Sequence, residues 1–73
     1  MEKMNTIQEF VERFNKEERL SLLINDISIV CNYVLVDNDG LSMYGGTNKQ
    51  YVGSIDLRDI RYMCGCNYKW VAD

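Results

Sequence analysis

The chain has 73 residues, a formal net charge of -3, no proline and no histidine, and that length allows one domain over residues 1–73. The hydrophobic fraction of 47% sets it apart from disordered chains, and a domain this small buries only about 60% of its unfolded surface, so self-association to a homo-oligomer is expected. The mild acidic balance, with a sequence pI of about 4.8, argues against double-stranded DNA as a partner, because non-specific binding needs Lys and Arg to neutralise phosphates, and it is too weak for a DNA mimic.

The first element is a helix. Thr6-Ile7-Gln8-Glu9 has the form of a capping box, in which the Thr6 hydroxyl accepts from the Glu9 N–H and the Glu9 side chain reaches back to Thr6. Ile7, Phe10, Val11 and Phe14 then fall at i, i+3, i+4 and i+7 and form one apolar stripe. The helix is expected to run from about Ile7 to about Lys16, with Lys16 and Arg19 suited to its negative end. An isolated helix this short is not stable. Its stripe must pack on strands or on a neighbouring subunit.

Short alternating strands follow. Leu20–Ile24 is a strand, Asn25-Asp26 a tight turn, and Ile27–Val36 the longest strand, rich in β-branched residues. Ile27, Ile29, Cys31, Tyr33 and Leu35 share one of its faces, yet Val30, Val34 and Val36 make the other face apolar too. A highly bent strand in a small barrel needs that double pattern. Asp37-Asn38-Asp39-Gly40 signals a hairpin. Leu41–Tyr44, a turn at Gly45–Asn48, Tyr51–Leu57, a brief turn at Leu57–Asp59 and Ile60–Cys64 complete the series. The expected fold class is mainly β with one N-terminal α-helix, as a small five-stranded barrel over about 20–64 with an aromatic tail at 65–73. The tail either continues as a strand or lies across the barrel.

The pattern Gln8, then Glu18-Arg19-Leu20 entering the first strand, then Asn25-Asp26, Cys31 and Asp37, with Ser54–Met63 as strand, one-turn break and final strand, resembles the Sm-like family and its Hfq branch. The resemblance spans about Thr6 to Met63. It implies an SH3/Sm-like barrel, ring-forming strand edges and a single-stranded RNA site. The RNA pocket departs from the family pattern, because Asp39 and Leu41 stand where the family has an aromatic residue and an asparagine, and Asp56-Leu57 where it has Arg-Gly. Gln8 and Arg58 are the only RNA-contact residues that the resemblance leaves.

Several chemistries find no support in the residues. Cys31, Cys64 and Cys66 are an odd set that suits a reducing compartment. A C-x-C pair with no histidine is a poor zinc set, so the pair reads as structural, with redox and metal roles as alternatives, and Cys31 as a packing residue. Asp37–Gly40 fails the spacing of a calcium loop, and Gly45–Lys49 that of a phosphate loop. No base partners a nucleophile, so no catalytic residue is assigned, no enzyme is expected, and neither a cofactor nor a metal is called for. No apolar run approaches the roughly 20 residues of a membrane span and no apolar leader is visible at Met1–Phe10, so a cytoplasmic protein is expected.

Tyr62, Tyr68 and Trp70 share parity, so an extended tail would present them together, with Arg61 close by in sequence. Tyr, Trp and Arg dominate protein-interface hot spots, and aromatics among basic residues also stack bases. Trp70 could equally close the end of the barrel. The expectation is a non-catalytic protein-binding regulator or inhibitor, of the type phage and mobile-element genes encode, that contacts its partner through Tyr62, Tyr68, Trp70 and Arg61. The alternative is a divergent RNA binder using Gln8 and Arg58.

Overall fold

In the computed structural model, which describes residues 1–73, the order is β1 (Glu2–Lys3), α1 (Ile7–Lys16), β2 (Ser21–Ile24), β3 (Ile27–Val30), β4 (Tyr33–Val36), β5 (Gly40–Gly45), β6 (Gln50–Asp56), a 3₁₀ turn (Leu57–Asp59), β7 (Tyr62–Cys64) and β8 (Tyr68–Val71). The protein is mainly β with one helix. Helix α1 has the bounds its stripe predicts, and the Thr6 hydroxyl accepts from the Glu9 N–H at 3.0 Å. The Glu9 carboxylate meets the Thr6 hydroxyl at 3.5 Å, so only half of the capping box forms. Phe10, Val11 and Phe14 are buried against the strands, each worth about 1.5–3 kcal/mol relative to exposure.

The strands form two sheets, ordered β1-β8-β7-β2-β3 and β4-β5-β6. They do not close into one hydrogen-bonded barrel, because β6 and β7 share no ladder and the 3₁₀ turn separates them. The expected long strand Ile27–Val36 is broken at Cys31-Asn32. Its inward residues are Ile29 and Cys31 before the break and Val34 and Val36 after it. One extra residue at the break shifts the phase, which accounts for the apolar pattern on both faces. Two asparagines fasten the pieces. The Asn15 amide donates to the Val34 carbonyl and accepts from the Val34 N–H, both at 2.9 Å, tying α1 to the outer edge of β4. Asn25, in the left-handed region with Asp26, holds the β2–β3 turn; its side chain donates to the Asp59 carbonyl and accepts from the Arg61 and Tyr62 N–H groups.

Residues 65–73 are not a separate tail. Tyr68–Val71 forms β8, antiparallel to β7 and parallel to β1. Tyr68 is fully buried in the core beside Phe10, with ring centroids 5.0 Å apart. The ring lies so close over Gly65 that a Cβ there would collide with it.

Candidate functional site

The hairpin at Asp37–Gly40 sets the register of the three-stranded sheet. The Asp37 carboxylate accepts from the Asp39 and Gly40 N–H groups at 2.8 and 2.9 Å, closing the turn. Tyr33 then pairs with Tyr44, Val34 with Met43 and Val36 with Leu41. Val34, Leu41 and Met43 point into the core, so Tyr33, Leu35, Ser42 and Tyr44 take the outer face.

A β-bulge completes a row of three tyrosines. Met43 pairs with Gly53, but the register then shifts and Tyr44 pairs with Tyr51. Val52 is the extra residue; a Cβ built on Gly45 would lie 3.4 Å from it, on the opposite side of the strand from Tyr44. Bulges commonly re-aim a side chain in this way. Tyr33 and Tyr44 have ring centroids 6.2 Å apart, and Tyr44 meets Tyr51 edge-on at 5.9 Å. The Tyr51 hydroxyl donates to Ser54 at 3.1 Å. Lys49 lies over the Tyr33 ring at 6.0 Å while donating to Asn32. Tyr33, Leu35, Tyr44 and Lys49 line an open depression of about 320 Å³.

The other end of the same face is acidic. Asp37, Asp39, Ser42, Ser54 and Asp56 surround a second depression of about 210 Å³. The Asp39 and Gly40 N–H groups hold the Asp37 carboxyl below its ordinary range. The Arg58 side chain, 3.0 Å away, does the same for Asp56. Both are therefore anions at neutral pH. The wider groove between β1 and α1, about 510 Å³, is lined mostly by charged side chains, of which Arg13 pairs with Glu2 at 2.7 Å and with Glu17 at 3.6 Å.

The residues singled out from the sequence are placed differently. Tyr68 is core, and Trp70 is half-buried against that core. The chain reverses at Gly65–Asn67, so Met63 pairs with Trp70, while Tyr62 pairs with Val71 on the opposite face. Tyr62, Tyr68 and Trp70 therefore do not share one surface, and Tyr68 is not available to a partner. Arg61 is exposed. Gln8 is exposed and donates to Glu12, while Arg58 is clasped on Asp56. Cys31 is buried, and burial pushes its thiol up to about 11. Cys64 is half-buried and Cys66 exposed, and the three cysteines form no metal-binding cluster.

No family model matches the chain. No curated protein and no solved structure matches it either. The surface is thus defined by its own chemistry: exposed Tyr51 with half-buried Tyr33 and Tyr44 at one end, carboxylates at the other, and a free strand edge alongside. No helix is long and apolar enough to cross a membrane. The hairpin at Asp37–Gly40, which sets Tyr33 against Tyr44, was legible from sequence as a turn. The alignment of Tyr51 with them was not legible, because it depends on the bulge.

Proposed function

We propose that this chain is a non-catalytic protein-binding module, a regulator or inhibitor, whose contact surface is the outer face of β4, β5 and β6 around Tyr44. The observation that carries this reading is the row Tyr33–Tyr44–Tyr51, with exposed Leu35 beside it. Tyrosine supplies large, rigid contact area and is enriched at interface hot spots. The net charge of -3 and the aspartates on the same face disfavour a phosphate backbone. The earlier RNA candidates, Gln8 and Arg58, are engaged by Glu12 and Asp56.

The strand path supports an open barrel of the SH3/Sm-like kind. The order β7-β2-β3, continued across the break into β4-β5-β6, follows the five strands of that barrel, with the 3₁₀ turn as its one-turn break. Assembly into an Sm-like ring through β7 is disfavoured, because β8 covers the edge of β7. A protein partner replaces the neighbouring subunit in this reading.

The test is paired capture from an extract of the source cells, using wild type and a Tyr44→Ser/Tyr51→Ser double variant. Both tyrosines are outside the core, so the fold should persist by circular dichroism. A protein held by wild type and lost by the variant supports the reading. Nucleic acid co-purifying with wild type, seen as a raised ratio of absorbance at 260 to 280 nm, overturns it in favour of RNA.

A further inference from the structure

The proposed surface ends at a free strand edge. β6 pairs with β5 on one side, and no strand covers its other side over Gln50–Asp56. The opposite edge of this sheet is blunted, because Asn15 occupies the backbone of Val34 on β4. An open edge carrying exposed Tyr51 and Val52 is a template for a further strand. The face beside this edge is polarised. Tyr44 pairs with Tyr51 at one end, and Gly40 pairs with Asp56 at the other. These pairs lie four residues apart along β5, about 14 Å at strand rise. The second end holds Asp37, Asp39 and Asp56, of which Asp56 is already paired with Arg58 and Asp39 is exposed without an ion pair.

Building on the protein-binding reading, we propose that β6 accepts an extended segment of a protein partner as an added antiparallel strand, and that this segment carries a basic residue followed, four residues later, by an apolar one. Residues four apart in a strand share a face. An antiparallel partner runs from the aspartate end toward the tyrosine end. Its basic side chain then lies beside Asp39, at the end where Arg58 already pairs with Asp56, and its apolar side chain against Tyr51 and Tyr44. Backbone hydrogen bonds to β6 supply affinity, while the two side chains supply specificity. Charge complementarity selects this occupant, since an acidic segment would meet like charge.

An acetylated and amidated peptide, Thr-Arg-Thr-Thr-Thr-Leu-Thr, titrated into ¹⁵N-labelled protein at up to millimolar concentration, tests this. Shifts centred on Gln50–Asp56, with slowed exchange of the β6 edge amides, are expected. Replacing the peptide's Arg by Glu, or moving its Leu by one position, should weaken binding by at least about tenfold. Asp39→Lys, a substitution at an exposed turn position, should do the same without altering the melt. The proposal is overturned by an absence of shifts, by shifts centred elsewhere, by equal binding of the Glu peptide, by displacement with oligouridine, or by β6 amides already protected in a dimer of the free protein. If the peptide leaves β6 untouched while the tyrosine double variant still loses its captured partner, the tyrosine surface stands and strand addition falls.

Discussion

Removing the hydroxyl of Tyr68 should stabilise the protein. The Tyr68 side chain is fully buried, with Phe10 5.0 Å away and the Arg13 guanidinium 4.5 Å from the ring centroid. Its hydroxyl completes no hydrogen bond, although the Glu17 carboxylate is close enough to act on it. Burial pushes the phenol well above its ordinary value, and the neighbouring Glu17 carboxylate adds to that shift. A buried polar group left unpaired costs about 1–3 kcal/mol. Tyr68→Phe keeps the ring and its packing and removes that cost, so a gain of about 1 kcal/mol is expected, or about 4–8 °C in Tm for a domain this size. Tyr68→Ala instead empties the site and should cost about 3–5 kcal/mol. At roughly 0.05–0.15 kcal/mol per residue, 73 residues hold about 4–11 kcal/mol in all, so Tyr68→Ala should remove a large share of the stability. Urea unfolding, with the slope checked for constancy, measures both changes. A Tyr68→Phe variant less stable than wild type by more than about 1 kcal/mol would refute the reasoning, because that is the worth of a hydrogen bond the hydroxyl is held not to make.

Phe10→Ala should cost about 3–5 kcal/mol and Thr6→Ala about 0.5–2 kcal/mol, both read from thermal melts; a Phe10→Ala melt equal to wild type would mean the helix stripe is not packed on the strands. Asn15→Ala leaves the Val34 N–H and carbonyl without their partner and should cost about 1–3 kcal/mol in urea, a loss that Asn15→Leu should not recover. The raised Tyr68 phenol gives an alkaline loss of stability above about pH 10, and the loss that begins lower follows from Cys31, whose thiol rises from 9.0 to about 11 on burial. The unfolded chain ionises first, so this contribution to stability is full below about pH 9 and is lost as pH rises toward 11. Cys31→Ala should flatten that alkaline slope, and an unchanged slope would remove Cys31 as its cause.

The helix, the turns and the strand series were legible because each rests on local chemistry. Thr6 caps, Phe10 and Phe14 recur at helical spacing, and Asn25-Asp26 and Asp37–Gly40 carry the side chains that their turns need. The division into two sheets was not legible, because it depends on the break at Cys31-Asn32, where Asn32 turns its N–H to the Tyr44 carbonyl. Sequence parity grouped Tyr62, Tyr68 and Trp70, but parity holds only along an unbroken strand, and the reversal at Gly65–Asn67 cancels it. Conversely, Tyr44 and Tyr51 come together only through the one-residue shift at Val52. In both cases a single backbone irregularity decided which aromatics reach the surface.

The binding surface is tested most directly by site-specific photocrosslinking in the source cells. Tyr44 is replaced by p-benzoylphenylalanine in one variant and Tyr62 in another, and the adducts are compared after irradiation. A discrete protein adduct from position 44, with none from position 62, is the result expected if the tyrosine row is the contact surface. Adducts from position 62 alone, or nucleic acid crosslinked at position 44, would contradict it.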